Sequence, residues 1–179
     1  MAILNRRLRK TLALLVIVLA PAAAQAVNEY QVKAAFLYNF ARYVEWPAQA
    51  FNSANDPIVI CVAGQSPFGA WLEEAVSGKS LAGRRLVVRE NSAFGPKCNC
   101  QILFVTAAER KRFHSAVGEL RDSAVLTVGD SPGFTKDGGV INLRVEDGKV
   151  RFEINVEAAE QEHLRISSKL LSLAEIVKH

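Results

Sequence analysis

Hydrophobic positions between residues 32 and 44 recur with the period of an α-helix. With successive residues about 100° apart, the apolar side chains fall on one arc, which predicts an amphipathic helix packed on a core. Pro47 disfavours helical geometry at the preceding residue and is expected to close this helix. Tyr38 and Trp46 are predicted to be exposed and to contact a partner, whereas Lys33 lies on the arc with its amine expected to reach water. The arc comprises Val32, Phe36, Leu37, Phe40, Tyr43 and Val44.

Downstream, short apolar runs alternate with helical segments. Helices are predicted at about residues 68–76 and 108–119, each between two strands. Buried strands that alternate with helices imply an α/β domain with a mainly parallel sheet covered on both faces. The predicted strands span residues 57–64, 85–90, 100–106 and 124–130.

Residues 140–156, VINLRVEDGKVRFEINV, change to strict alternation and predict a C-terminal β-hairpin around Asp147-Gly148. That turn places Leu143 opposite Phe152 and every apolar pair on one face. Arg144 then faces Arg151, which indicates a solvated polar face, with a paired-arginine anion site as the alternative.

After the hairpin, Asn155 is expected to cap a short helix, and Ser167 or Ser168 is expected to cap a final helix. The apolar stripe of that final helix is Leu170, Leu173, Ala174 and Val177.

The N-terminal segment has the layout of a secretory signal peptide. A basic region precedes the apolar run from Leu12 to Ala20, and Ala24-Gln25-Ala26 is typical of a signal peptidase site, so residues 1–26 are expected to be cleaved. The apolar run is shorter than the ~20 residues that a spanning helix needs. Position 27 is Val, where a lipoprotein has Cys, so a product that is not inserted in the membrane is expected. In a bacterial chain this predicts the periplasm.

Charge gives no indication of a nucleic-acid or anionic-lipid partner. The formal net charge is +4, but the four basic residues before position 27 account for it and leave 18 basic against 18 acidic residues. The helix over residues 32–44 also lacks the strongly basic face of a membrane-surface helix. Residues 27–179 have the usual length of one domain with a substantial core.

Three cysteines predict one disulfide in an oxidising compartment. Cys61 is expected to pair with Cys98 or Cys100, because a bridge between the latter two would close too short a loop. The cysteines do not form a convincing metal-ligand set.

No set of residues fills the roles of nucleophile, base and stabiliser, and the three histidines lie in polar or terminal segments without a carboxylate or cysteine constellation. The sequence therefore predicts neither catalytic residues nor a cofactor.

Several strings together resemble the YfiR family over essentially all of the predicted mature chain. The resemblance implies a single Rossmann-like layered domain and a regulatory function without catalysis. The strings are EYQVKAAFLYNFARYVEWP after the signal peptide, ICVAGQSPFG, CQILFVT, VGDSPGFTKDGGVINLRVEDGKVRFEIN and LRISSKLLSLAEIV.

Members of this family are periplasmic repressors. The resemblance implies binding to the periplasmic sensor domain of an inner-membrane diguanylate cyclase, which lowers cyclic di-GMP and biofilm formation. It also implies a homodimer and relief of repression through sequestration by an outer-membrane lipoprotein. Residue by residue, Cys61 and Cys100 occupy the positions of a family disulfide. A second family disulfide near the hairpin has no counterpart here, and Cys98 is a departure.

Three functions remain open: the cyclase repressor, a periplasmic small-ligand sensor that feeds another membrane receptor such as a histidine kinase, and an enzyme of unrecognised chemistry. The partner-binding candidates are Tyr38 and Trp46 on the first helix and Leu164 and Ile166 in the C-terminal segment.

Overall fold

The structure is a computed structural model that describes residues 28–92, 94–95 and 98–178. The predicted signal peptide therefore lies outside the described residues. Within those ranges, no helix combines the length and the apolar character needed to cross a bilayer.

Helices and short strands alternate through most of the described chain. The α-helices are α1 (Glu29–Tyr43), α2 (Trp71–Val76), α3 (Arg110–Ala116), α4 (Val156–Gln161) and α5 (Ser168–Leu171). The first strands are β1 (Val44–Glu45), β2 (Ile58–Ala63), β3 (Ser80–Leu81), β4 (Arg84–Arg89) and β5 (Ile102–Val105). They are followed by β6 (Leu126–Gly129), β7 (Ile141–Glu146), β8 (Lys149–Asn155), β9 (Arg165–Ile166) and β10 (Glu175–Val177).

Eight strands form one sheet in the order β10-β8-β7-β6-β5-β2-β4-β3. Strands β4, β2, β5, β6 and β7 are mutually parallel, which confirms the predicted mainly parallel sheet. The chain moves from β2 to β4 on one side and then returns to β5 on the other, so the strand order reverses between β2 and β5. Strand β1 pairs antiparallel with β9 in a separate ribbon, the β1–β9 ribbon.

The two faces of the sheet bury different amounts of apolar surface. The first face carries the larger cluster, in which α1, α2, α4 and α5 pack on alternate residues of β2 and β4–β8. The rings of Phe36 and Phe40 contact Phe152 of the hairpin there, which confirms the predicted core face of α1. The second face carries a smaller cluster around Phe113 of α3 and Phe134, packed on β2 and β5.

The hairpin has the predicted register. Leu143 faces Phe152, Arg144 faces Arg151, and the other pairs follow as expected. Asp147 and Gly148 have φ values of 49° and 71°, the positive values that a type I′ turn requires at both positions.

Two predicted helix boundaries are wrong. The helix predicted from residue 68 begins only at Trp71, because Gly69 has a left-handed φ of 53°. The final helix ends at Leu171, and residues 175–177 form β10 beside β8 instead of continuing the stripe. The free edge of β8 offers unpaired backbone groups, and the β-branched residues Ile176 and Val177 favour a strand there. Leu173 is consequently 70% exposed.

Cys61 and Cys100 form the disulfide that the family resemblance implies. Their Cα atoms are 5.9 Å apart, and both side chains are buried in the second cluster. The bridge ties β2 to the chain just before β5. Cys98 is a free, half-buried thiol whose pKa is raised by burial.

Loop closure predicts the stabilisation that this bridge provides. It spans 39 residues, which corresponds to a stabilisation of ~3 to 4 kcal/mol. Cys61→Ala is expected to lower the free energy of unfolding by about that amount, measured by urea denaturation without reductant. Cys98→Ala is the matched control and should change it much less. Equal stability of the Cys61→Ala variant and the parent protein would contradict a stabilising bridge.

Candidate functional site

The usual ligand position of a doubly wound sheet is closed in this chain. Such ligands bind at the carboxyl ends of the strands where the strand order reverses, here between β2 and β5. Gly64 follows β2, and a Cβ added to it would lie 2.6 Å from Oγ1 of Thr106 and 2.8 Å from Cγ of Glu109. Side chains that follow β5 therefore fill this crevice.

A cleft of about 740 Å³ opens instead on the second face of the sheet, beyond α3. Its floor is formed by β7, β8 and β10, and one wall is the segment of residues 130–136 that follows β6. Because successive side chains of a strand point to opposite faces, Asn142, Arg144 and Glu153 lie on this face of the hairpin. Leu143 and Phe152 pack on the first face. The cleft is polar because no apolar side chain of β7 or β8 points into its floor.

A buried hydrogen-bond network forms the floor. The carboxylate atom Oε1 of Glu153 accepts from Oγ1 of Thr135 at 2.6 Å and from Nδ2 of Asn142 at 3.2 Å. Asn142 and Glu153 are 2% and 8% exposed. The predicted polar face is therefore confirmed, but these two residues are not solvated, because Thr135 and its neighbours lie over them.

Arg144 is held by three carboxylates of its own sheet. Its guanidinium lies 2.6 Å from Glu175, 3.2 Å from Glu146 and 3.3 Å from Glu153. The hydrogen bond that Arg144 donates to Glu175 raises the pKa of Arg144, with burial acting in the opposite direction. The alternative of a paired-arginine anion site is wrong, since the charge of Arg144 is already neutralised.

A second ion-pair group lies where α1 meets the end of β6. Nζ of Lys33 lies 2.7 Å from Oδ2 of Asp130 and 2.5 Å from Oε1 of Glu29, and the hydroxyl of Tyr30 also donates to Asp130. Burial alone would lower the pKa of Lys33, but the hydrogen bonds to Asp130 and Glu29 outweigh it and raise the pKa. The expectation that this amine reaches water is wrong, because Asp130 holds it below the surface.

Three buried polar atoms at or beside this cleft have no hydrogen-bond partner within the described chain: Oδ1 of Asn142, Oγ of Ser131 and Nε of Arg144. Buried polar groups are nearly always paired in folded proteins, and Asn142 and Arg144 line the cleft, so their unpaired atoms are candidates for contact with a molecule in it.

The four predicted partner-binding residues differ in exposure. Leu164 is only 4% exposed within the first core cluster and offers little surface to a partner. Tyr38, Trp46 and Ile166 are half-buried. Nζ of Lys79 lies 4.1 Å from the ring of Tyr38.

The β1–β9 ribbon brings the predicted partner-binding residues near the end of α1 next to those in the C-terminal segment. Val44 faces Ile166 and Glu45 faces Arg165, so the end of α1 lies beside the C-terminal segment. The indole nitrogen of Trp46 donates to the carbonyl oxygen of Gln101 at 3.1 Å, which fixes the ring beside the ribbon.

Histidines and metal ligands add little to the site. His163 lies 2.8 Å from Asp122 and His114 lies 3.5 Å from Asp137, so the fold gives both histidines a carboxylate neighbour from a distant part of the chain. All these side chains except that of Asp137 are well exposed. Among residues 28–92, 94–95 and 98–178, no three His, Cys, Asp or Glu side chains are grouped to hold a metal ion.

Fold and cleft define a doubly wound α/β domain with an added antiparallel edge. A family model described as YfiR/HmsC-like matches residues 30–175. The chain therefore belongs to the YfiR/HmsC-like family, as the sequence strings indicated.

One solved structure shares the fold at low sequence identity, and a second has a weaker similarity. A conserved domain protein from Vibrio cholerae O1 biovar El Tor has a TM-score of 0.52 at 11% identity, over 84% of this chain and 60% of that chain. An ABC domain from Streptococcus pneumoniae in complex with L-Trp has a TM-score of 0.46 at 10% identity, over 69% of this chain and 56% of that chain. This chain thus spans less than two thirds of either structure. No curated protein matches the sequence significantly.

The Lys33–Asp130 pair predicts a large effect of one substitution. Lys33→Met keeps the stem of the side chain but leaves the buried carboxylate of Asp130 without its cation, since both side chains are at most 6% exposed. We expect a loss of about 3 kcal/mol in the free energy of unfolding, measured by urea denaturation at neutral pH. Lys111→Met, on the exposed face of α3, is the control and should change stability by less than about 0.5 kcal/mol. Equal effects of the two substitutions would show that the buried pair is not specifically stabilising.

Proposed function

We propose that the protein is a periplasmic regulatory binding protein that represses an inner-membrane diguanylate cyclase by binding its periplasmic sensor domain. Lower cyclic di-GMP and less biofilm follow. The observation that carries the proposal is the YfiR/HmsC-like family match over residues 30–175. In this proposal residues 1–26 are removed on secretion and residues 27–179 form the active domain.

Repression of this kind requires no reaction by the repressor. A protein that binds the inhibited form of the cyclase more tightly than the active form shifts the equilibrium between the two forms. A 100-fold preference corresponds to about 2.7 kcal/mol, which is within the range of ordinary interfaces.

We place the cyclase-binding surface on the β1–β9 ribbon and the adjoining face of α1. Ile166 and Trp46 supply half-buried apolar area there, Glu45 and Arg165 are exposed charges, and Tyr38 lies on the same helix. The family resemblance also supports a homodimer and release of the cyclase through sequestration by an outer-membrane lipoprotein.

The second candidate function is a periplasmic small-ligand sensor that feeds another membrane receptor, such as a histidine kinase. The unpaired, buried Oδ1 of Asn142 in a cleft of about 740 Å³ favours it. The two functions are compatible if a ligand controls binding to the cyclase.

Deletion of the gene is expected to raise cellular cyclic di-GMP, because the cyclase loses its repressor. Complementation by the secreted protein should restore the parental level, whereas a version without residues 1–26 should not, since it stays in the cytoplasm. Cyclic di-GMP is measured by mass spectrometry of cell extracts. An unchanged level in the deletion strain, under conditions where the parent makes the protein, would contradict repression and favour the sensor function.

Charge reversal tests the placement of the cyclase-binding surface. Arg165→Glu sets two glutamates opposite each other on the exposed ribbon and should fail to restore low cyclic di-GMP at an unchanged periplasmic protein level. Arg121→Glu, an exposed arginine outside the ribbon, should restore it fully. Full complementation by Arg165→Glu would exclude the ribbon from the interface.

A further inference from the structure

We propose that the cleft formed by β7, β8, β10 and residues 130–136 binds an organic cation that carries a primary ammonium group, such as an aliphatic diamine. This inference goes beyond the proposed function and does not depend on which membrane protein is the partner.

Formal charge at the cleft favours a cation. Five carboxylates and three basic groups line it, which leaves a formal charge of −2. Two of the basic groups, Lys33 and Arg144, are already bound by carboxylates, so neither is available to an anion. The lining carboxylates are Glu29, Asp130, Glu146, Glu153 and Glu175, and the basic groups are Lys33, Lys136 and Arg144.

The unpaired floor acceptor requires a hydrogen-bond donor. Nδ2 of Asn142 donates to Glu153, which fixes the orientation of the amide and leaves Oδ1 as a buried acceptor without a partner. Leaving such an atom unpaired is unfavourable, and an ammonium group brings three donors and no acceptor. The unpaired Nε of Arg144 is a donor that a hydroxyl or a water molecule satisfies.

The lining favours an organic cation over a metal ion. Metal ions need several ligand atoms converging on one point, and the described residues offer no such group of three His, Cys, Asp or Glu side chains. The volume of about 740 Å³ is within the usual range of small-molecule sites, and Pro132 and Val177 add apolar surface for a carbon chain.

Isothermal titration calorimetry with putrescine tests the charge and the donor requirement together. The protein is expressed from its full-length gene and purified in the form that the cell produces. Putrescine should bind with one-to-one stoichiometry and more weakly at higher ionic strength, whereas butane-1,4-diol and succinate, of the same chain length, should not bind. Binding of succinate, or no binding of putrescine to the folded protein, would overturn the proposal.

Three variants locate the site. Asn142→Leu removes the acceptor at similar volume and should weaken putrescine binding by about tenfold or more. Glu175→Gln changes the formal charge of the cleft from −2 to −1 and is expected to weaken binding severalfold. The side chain of Glu175 is 58% exposed, so this variant should fold even if Asn142→Leu does not. Glu157→Gln, an equal charge change on the exposed face of α4, is the control and should leave binding unchanged. Undiminished binding by folded Glu175→Gln would place putrescine outside this cleft.

Discussion

Parallel strands need cover on both faces of their sheet. On the second face the described residues offer the seven-residue helix α3 and the 3-10 turn Val117–Leu120 that follows it. A helix is about 10–12 Å wide and strands lie ~4.8 Å apart, so α3 covers roughly two strands of the eight. It packs on β2 and β5, where the disulfide also lies. Phe134, stacked on Phe113, extends this cover as far as Gly129 at the end of β6. Beyond β6 the sheet has no helix on this face, and its side chains there are polar.

The cleft follows from that incomplete cover. Polar side chains of β7 and β8 are partly enclosed by residues 130–136 but are not packed against apolar groups, so their charges have to be paired locally. Glu153 and Arg144 pair on the floor, and Lys33 and Asp130 pair on the wall. These pairs hold α1, the chain after β6 and the edge strand β10 around one site. The first face, by contrast, is covered by four helices over most of the sheet, and the β1–β9 ribbon lies on its side of the molecule, where β1 continues directly from α1. The proposed partner-binding surface and the proposed ligand cleft are thus separate features that α1 connects.

Local patterns predicted much of this fold, and long-range contacts account for what they missed. Strict alternation and Asp147-Gly148 predicted the hairpin register residue by residue, and the 3.6-residue period predicted α1. Strand β10 was missed because it forms only where β8 offers a free edge. The burial of Lys33 was missed because its partner, Asp130, is 97 residues away. The burial of Leu164 was missed because apolar residues in a turn of the chain give no periodic signal. The best signal for the cleft was present but weak: the alternating polar positions Asn142 and Arg144 opposite Glu153 and Arg151.

We propose that this YfiR/HmsC-like protein acts by binding the periplasmic side of a membrane diguanylate cyclase. The most direct test uses spheroplasts of a strain that lacks the gene, to which the purified protein is added from outside. Cyclic di-GMP synthesis is then measured at constant amounts of cyclase. We expect cyclic di-GMP synthesis to fall as the protein concentration rises and then to reach a plateau, because the repressor saturates its binding site on the cyclase. Unchanged synthesis at the highest concentration, with the protein folded and the cyclase accessible, would contradict it.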